Sequence, residues 1–83
     1  MSGRKLQQLD FALRGEFITL DALLKATGLA DSGGAAKQLI QSGQVQVDGR
    51  EELRRGAKLR AGQVVAVSGA RVRLLAAEGE GSA

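Results

Sequence analysis

An α+β domain, two short packed helices followed by a small antiparallel sheet, is the fold class the sequence predicts, and three observations predict it. Apolar residues recur at i, i+3, i+4 and i+7 in two consecutive segments. The period then switches from 3.6 to 2 after Gly43. Asp48-Gly49 and Ser68-Gly69 punctuate the second half at hairpin positions. With 83 residues, the chain has room for one small domain.

Taken in order, residues 1–15 carry Leu6, Leu9, Phe11 and Leu13 without a clean helical stripe and read as an N-terminal arm or a short helix. Thr19 is placed to cap a first helix with Leu20, Leu23, Leu24 and Thr27 on one face, and Gly28 closes it. Asp31 or Ser32 can cap a second, whose stripe is Ala36, Leu39, Ile40 and Gly43. Val45 and Val47 alternate with Gln44 and Gln46 into the Asp48-Gly49 turn. Gly56 and Ala61-Gly62 bracket a short segment at 58–60; Val-rich residues 63–68 and the alternating Arg71-Val72-Arg73-Leu74 follow. Leu59, Val65, Val67, Val72 and Leu74 are the expected inner face, leaving the arginines outward. Residues 16–75 are the expected domain and 76–83 a flexible tail.

Composition excludes much chemistry. With no Cys or His, the chain lacks disulfides, thiolate or imidazole metal ligands, and Ser-His or Cys-His nucleophile pairs. Its carboxylates lie in capping and turn contexts, Asp21 and Asp31 at helix starts, so no catalytic residues, metal or cofactor are expected. No apolar run exceeds four residues, against about 20 for a bilayer span, and nothing near the N-terminus resembles a signal peptide. A soluble cytoplasmic protein without membrane partner or small-molecule substrate is expected.

The net charge of +3 is unevenly distributed. Between residues 33 and 73 eight bases face three acids, and from 54 to 73 there are six bases and no acid. Five of those six are Arg, which matches phosphate geometry better than solubility alone requires. The candidate anion-binding residues are Ser32 and Gly33 at a helix N-terminus, Lys37 one turn on, Arg50 after the hairpin turn, and Arg54, Arg55, Lys58 and Arg60. Gly33 and Gly34 admit two readings: close backbone approach to a phosphate, or tight crossing of the two helices. Arg71 and Arg73 are secondary candidates. Only two aromatic residues exist, and Phe17, in an apolar context, is expected in the core, which argues against base stacking as the main source of affinity.

The runs Leu20-Asp21-Ala22-Leu23-Leu24, Gly28-Leu29-Ala30-Asp31-Ser32, Ala36-Lys37-Gln38-Leu39-Ile40, Gly43-Gln44-Val45-Gln46-Val47-Asp48-Gly49 and Gly62-Gln63-Val64-Val65 resemble the S-four RNA-binding domain, named for a small-subunit ribosomal protein. The resemblance spans 17–75 and is strongest to the free-standing bacterial YbcJ-type branch, which shares the Ser-Gly opening of the second helix and the basic stretch at 54–58. It implies an alpha-L RNA-binding motif, a non-catalytic module presenting one basic face to structured RNA, ribosomal or transfer RNA, in ribosome biogenesis or translation; the chain is expected to be a monomer. The chain departs from the family at Gly33, where many members carry Arg, and at Ala35, where an acidic residue is usual. Two other classes share the same features: a DNA-binding regulator, for which Lys37, Gln38 and Gln41 are a thin reading set, and a module docking an acidic protein.

Overall fold

A computed structural model describes residues 7–67 and 69–77. In chain order the elements are β1 (Gln7–Ala12), β2 (Ile18–Thr19), α1 (Leu20–Ala26), α2 (Gly33–Gln41), β3 (Val45–Val47), β4 (Arg50–Glu51), β5 (Lys58–Leu59), β6 (Val64–Val67) and β7 (Ala70–Leu75). Two helices and sheet are present as expected, but the sheet is neither small nor wholly antiparallel. Its five strands run β1-β7-β6-β3-β4, and β1 lies parallel to β7 while all other neighbours are antiparallel. A separate antiparallel pair joins β2 to β5.

The expected order, helices and then strands, also fails at the N-terminus. Leu9, Phe11 and Leu13 alternate with Asp10 and Ala12, the period of a strand, so the segment expected to be an arm or helix completes the sheet instead. Residues 1–6 of that segment, and 78–83 of the expected tail, lie outside the described residues.

The helices form where the spacing placed them. Gly28 and Gly43 have φ of 81° and 84°, the left-handed conformation that ends a helix at little cost only for glycine. At the hairpin, Asp48 (φ 54°) and Gly49 (φ 84°) are both left-handed, as a two-residue turn between right-twisted strands requires.

One core unites these elements. Leu20, Leu23 and Leu24 of α1 and Ala36 and Ile40 of α2 pack with Leu13, Val45, Leu59, Val65, Val67, Val72 and Leu74. All five strand residues expected inward are buried, and no polar side chain is buried among the described residues. Period 2 therefore sends Arg71 and Arg73 to the outer face, where Arg73 pairs with Asp10 of β1 at 3.4 Å.

Candidate nucleic-acid interface

The start of α1 is closed by backbone rather than by a side chain. Thr19 occupies the cap position, but its hydroxyl donates to Asp21 Oδ1 at 2.7 Å instead of accepting from the helix. The Leu20 and Asp21 amides donate to the carbonyls of Ala57 and Arg55, at 3.0 and 3.1 Å. The tight turn at 54–57, held by the Ala57 amide on the Arg54 carbonyl, is thus stitched to the first turn of the helix. This fixes where the basic loop sits.

Strand β5 continues from that turn. Leu59 is paired with Ile18 and is buried, so its neighbours Lys58 and Arg60 must point away from the core. They converge on Phe17: the Lys58 Nζ lies 5.0 Å and the Arg60 Cζ 6.0 Å from the ring centroid. Phe17 is 41% exposed, which corrects the expectation that it belongs to the core. The reason is again alternation, because Ile18 takes the inward position of β2 opposite Leu59 and the preceding side chain is left outside. Neither Lys58 nor Arg60 forms an ion pair among the described residues, although Glu16 borders a shallow hollow with Arg60.

Arg50 and Arg54 stand in a different setting. They share a surface hollow with Asp48, Glu51 and Glu52. The Arg54 Nε donates to Glu52 Oε2 at 3.1 Å and the Arg54 amide donates to the same oxygen at 3.1 Å. Those hydrogen bonds, the side-chain one foremost, hold the Glu52 carboxyl below the usual glutamate range, so it stays charged against Arg54. The cluster expected from sequence is therefore two groups.

At the second helix, Ser32 rather than Asp31 is the cap: its Oγ accepts from the Ala35 amide at 3.2 Å. A Cβ at Gly33 would meet nothing within 4 Å, and one at Gly34 only the Ser32 hydroxyl at 3.9 Å. The glycines do not serve a tight helix crossing; they leave an open backbone at the positive end of the helix dipole. Lys37 is exposed one turn further along. No hydrogen bond or ion pair among the described residues links Ser32, Gly33 or Lys37 to either arginine group.

One residue has no signal in the sequence: Gln63, whose Nε2 donates to Asp48 Oδ2 at 3.1 Å while its Oε1 accepts from the Arg60 amide at 2.7 Å. With Asp48 Oδ1 accepting from the Val64 amide at 3.1 Å, the hairpin turn is clasped to the start of β6 and, through Gln63, to Arg60 just after β5. A lone Gln after a Gly turn offers no local signal of such a bridge.

The S4 domain profile matches residues 11–75. This chain belongs to the S4 domain family. Among its relatives, YbcJ of Escherichia coli is 44% identical over 59 residues, covering 71% of this chain and 84% of YbcJ. RlbA of Bacillus subtilis, which bears the name probable ribosome maturation protein, is 41% identical over 54 residues, 65% of this chain and 76% of RlbA. The solution structure of YbcJ, described as revealing an alpha-L motif involved in RNA binding, superposes with a TM-score of 0.59 at 33% identity, covering 90% of this chain and 94% of that one. The S4 domain match begins at Phe11, so it takes in the end of β1 as well as the helix pair and the β3–β4 hairpin. Among the described residues no helix is long and apolar enough to cross a membrane.

Proposed function

We propose that this S4 domain protein is a non-catalytic RNA-binding module that docks on structured RNA, ribosomal RNA foremost, during ribosome maturation in the cytoplasm, and that it does so as a monomer. The observation that carries this is the group of cations at the start of α1 that form no ion pair among the described residues. Arg55 lies in the turn whose carbonyls cap the helix, and Lys58 and Arg60 are turned outward by the buried Leu59. The names and description borne by YbcJ and RlbA support the same reading.

The chemistry is that of a phosphate backbone. Arginine forks and a lysine that form no ion pair among the described residues neutralise phosphates and release condensed counterions, which makes affinity steeply salt-dependent. The amides of Gly33 and Gly34 at the start of α2 offer a phosphate two aligned donors, and Lys37 adds a charge one turn away. Arg50 and Arg54 contribute less, because an incoming phosphate must compete with Glu52 for Arg54. Binding of this kind reads RNA by shape, through the spacing of its phosphates and 2′-hydroxyls.

A titration tests the proposal: a labelled ribosomal RNA fragment and a length-matched DNA duplex, each at several salt concentrations. Tighter binding to RNA, weakening with salt, is expected. Equal binding to both, or none, would return the basic loop to the role of a solvated surface or of a dock for an acidic protein.

A further inference from the structure

Phe17 is a large apolar side chain left on the surface of a protein that has only one other aromatic residue. Its ring is flanked by two cations, Lys58 and Arg60, that no acid neutralises among the described residues. Phe17 also lines an open groove of about 560 Å³ together with Phe11, Ile18, Ala22 and Ala26, residues of β1, β2 and α1. Arg14 and Asp10 line it too, the latter already engaged by Arg73. An aromatic face, an apolar recess and two or three positive charges in one place are complementary to one kind of occupant. That occupant has a flat π surface and carries a negative charge on either side of it.

We propose that Phe17 stacks a single unpaired nucleobase in this groove while Lys58 and Arg60 hold the phosphates that flank it. The proposal rests on the RNA-binding reading above and narrows it: the preferred RNA carries a nucleotide extruded beside a helix, rather than an uninterrupted duplex. Base–aromatic stacking is tolerant of base identity, so the selectivity is for an unpaired base and only weakly for which base.

Two RNA hairpins of equal length test this, one fully paired and one with a single bulged nucleotide, titrated against the wild type, Phe17→Leu and Phe17→Trp. Leucine keeps an apolar body of similar size on this exposed site, and circular dichroism confirms that both variants are folded. Phe17→Leu is expected to weaken binding to the bulged hairpin by about 10- to 100-fold, inside the range for one stacked base, and to leave the paired hairpin within about twofold. Phe17→Trp should restore the bulged hairpin to near the wild-type value. An abasic bulge, which keeps the phosphates and removes the base, should bring the wild type down to the level of Phe17→Leu. A fluorescent purine analogue in the bulge should be quenched by the wild type and not by Phe17→Leu.

Equal losses on both hairpins would show that the ring only props the two cations and would overturn the proposal, as would no loss on either. Those outcomes leave RNA binding intact. A wild type that binds neither hairpin would instead sink the RNA-binding reading itself, and this proposal with it.

Discussion

Residues 50–60 look like one basic run, yet the fold divides them into a hairpin half and a β5 half that differ in what surrounds the charge. In the hairpin half, Arg50 and Arg54 share a hollow with Asp48, Glu51 and Glu52, and Arg54 is ion-paired. In the β5 half, Lys58 and Arg60 flank a buried leucine, have no acidic partner among the described residues, and sit over an exposed ring. The lesson is that a count of bases does not measure the charge available to a ligand. An acid two residues away removes an arginine from service more completely than any change in net charge suggests.

The largest expected effect tests that division directly. Changing Arg55, Lys58 and Arg60 together to Ala should weaken binding to structured RNA by about 100-fold, at roughly 1 kcal/mol for each lost phosphate contact. The slope of log affinity against log salt should become shallower by about 3. The matched double change at Arg50 and Arg54 should cost only about threefold, because an exposed pair already half-neutralised has little to lose. Equal losses per residue in the two variants, read in the same salt titration, would break the comparison.

Next in size is the clasp that holds the two halves in register. Asp48→Ala removes two acceptors and places a Cβ-bearing residue without a local hydrogen bond at φ 54°. Urea unfolding should show a loss of about 2 kcal/mol, combining left-handed strain with two solvent-exposed hydrogen bonds. Asp48→Asn should cost about half as much, since Asn tolerates the left-handed region and retains one acceptor. A loss no greater for Ala than for Asn would remove Asp48 from this role.

Much of this fold is written in local pattern. Leu20, Leu23 and Leu24 mark one helix, Ser32 caps the next, and Asp48-Gly49 can hardly be anything but a turn. What escaped local pattern is what depends on partners distant in sequence. Strand β1 pairs in parallel with β7 across almost the whole chain, and no property of Gln7–Ala12 alone announces that neighbour. Phe17 was misplaced because its apolar surroundings suggest burial, whereas the pairing of Ile18 with Leu59, invisible to a window of a few residues, decides which side chain faces in. The candidate site was legible as a charge pattern and illegible as an electrostatic one. The side-chain bond between Glu52 and Arg54 is local enough to be guessed, but its competitor, a free and solvated Arg54, has the same sequence.

That ion pair gives the smallest effect and the sharpest test of the comparison. Glu52→Gln should release Arg54, raising affinity for structured RNA by about threefold and steepening the salt slope by about 1, so that the hairpin half begins to behave like the β5 half. The pH dependence carries the sign. Arg54 holds the Glu52 carboxyl below the ordinary glutamate range, so its contribution to stability is fully present above that range and is lost only as pH falls through the lowered value. Between pH 7 and pH 5, where a carboxyl so placed stays ionised, the affinity gap between wild type and Glu52→Gln should therefore be flat. It should close only in more acidic solution, when the wild-type carboxyl takes up a proton and Arg54 is freed without mutation. With side chains 81% exposed for Arg54 and 20% for Glu52, added salt should shrink the effect as well. A gap that already closes as pH falls through the ordinary glutamate range would mean that Arg54 does not lower the carboxyl, and the two halves of the basic run would then differ in position alone.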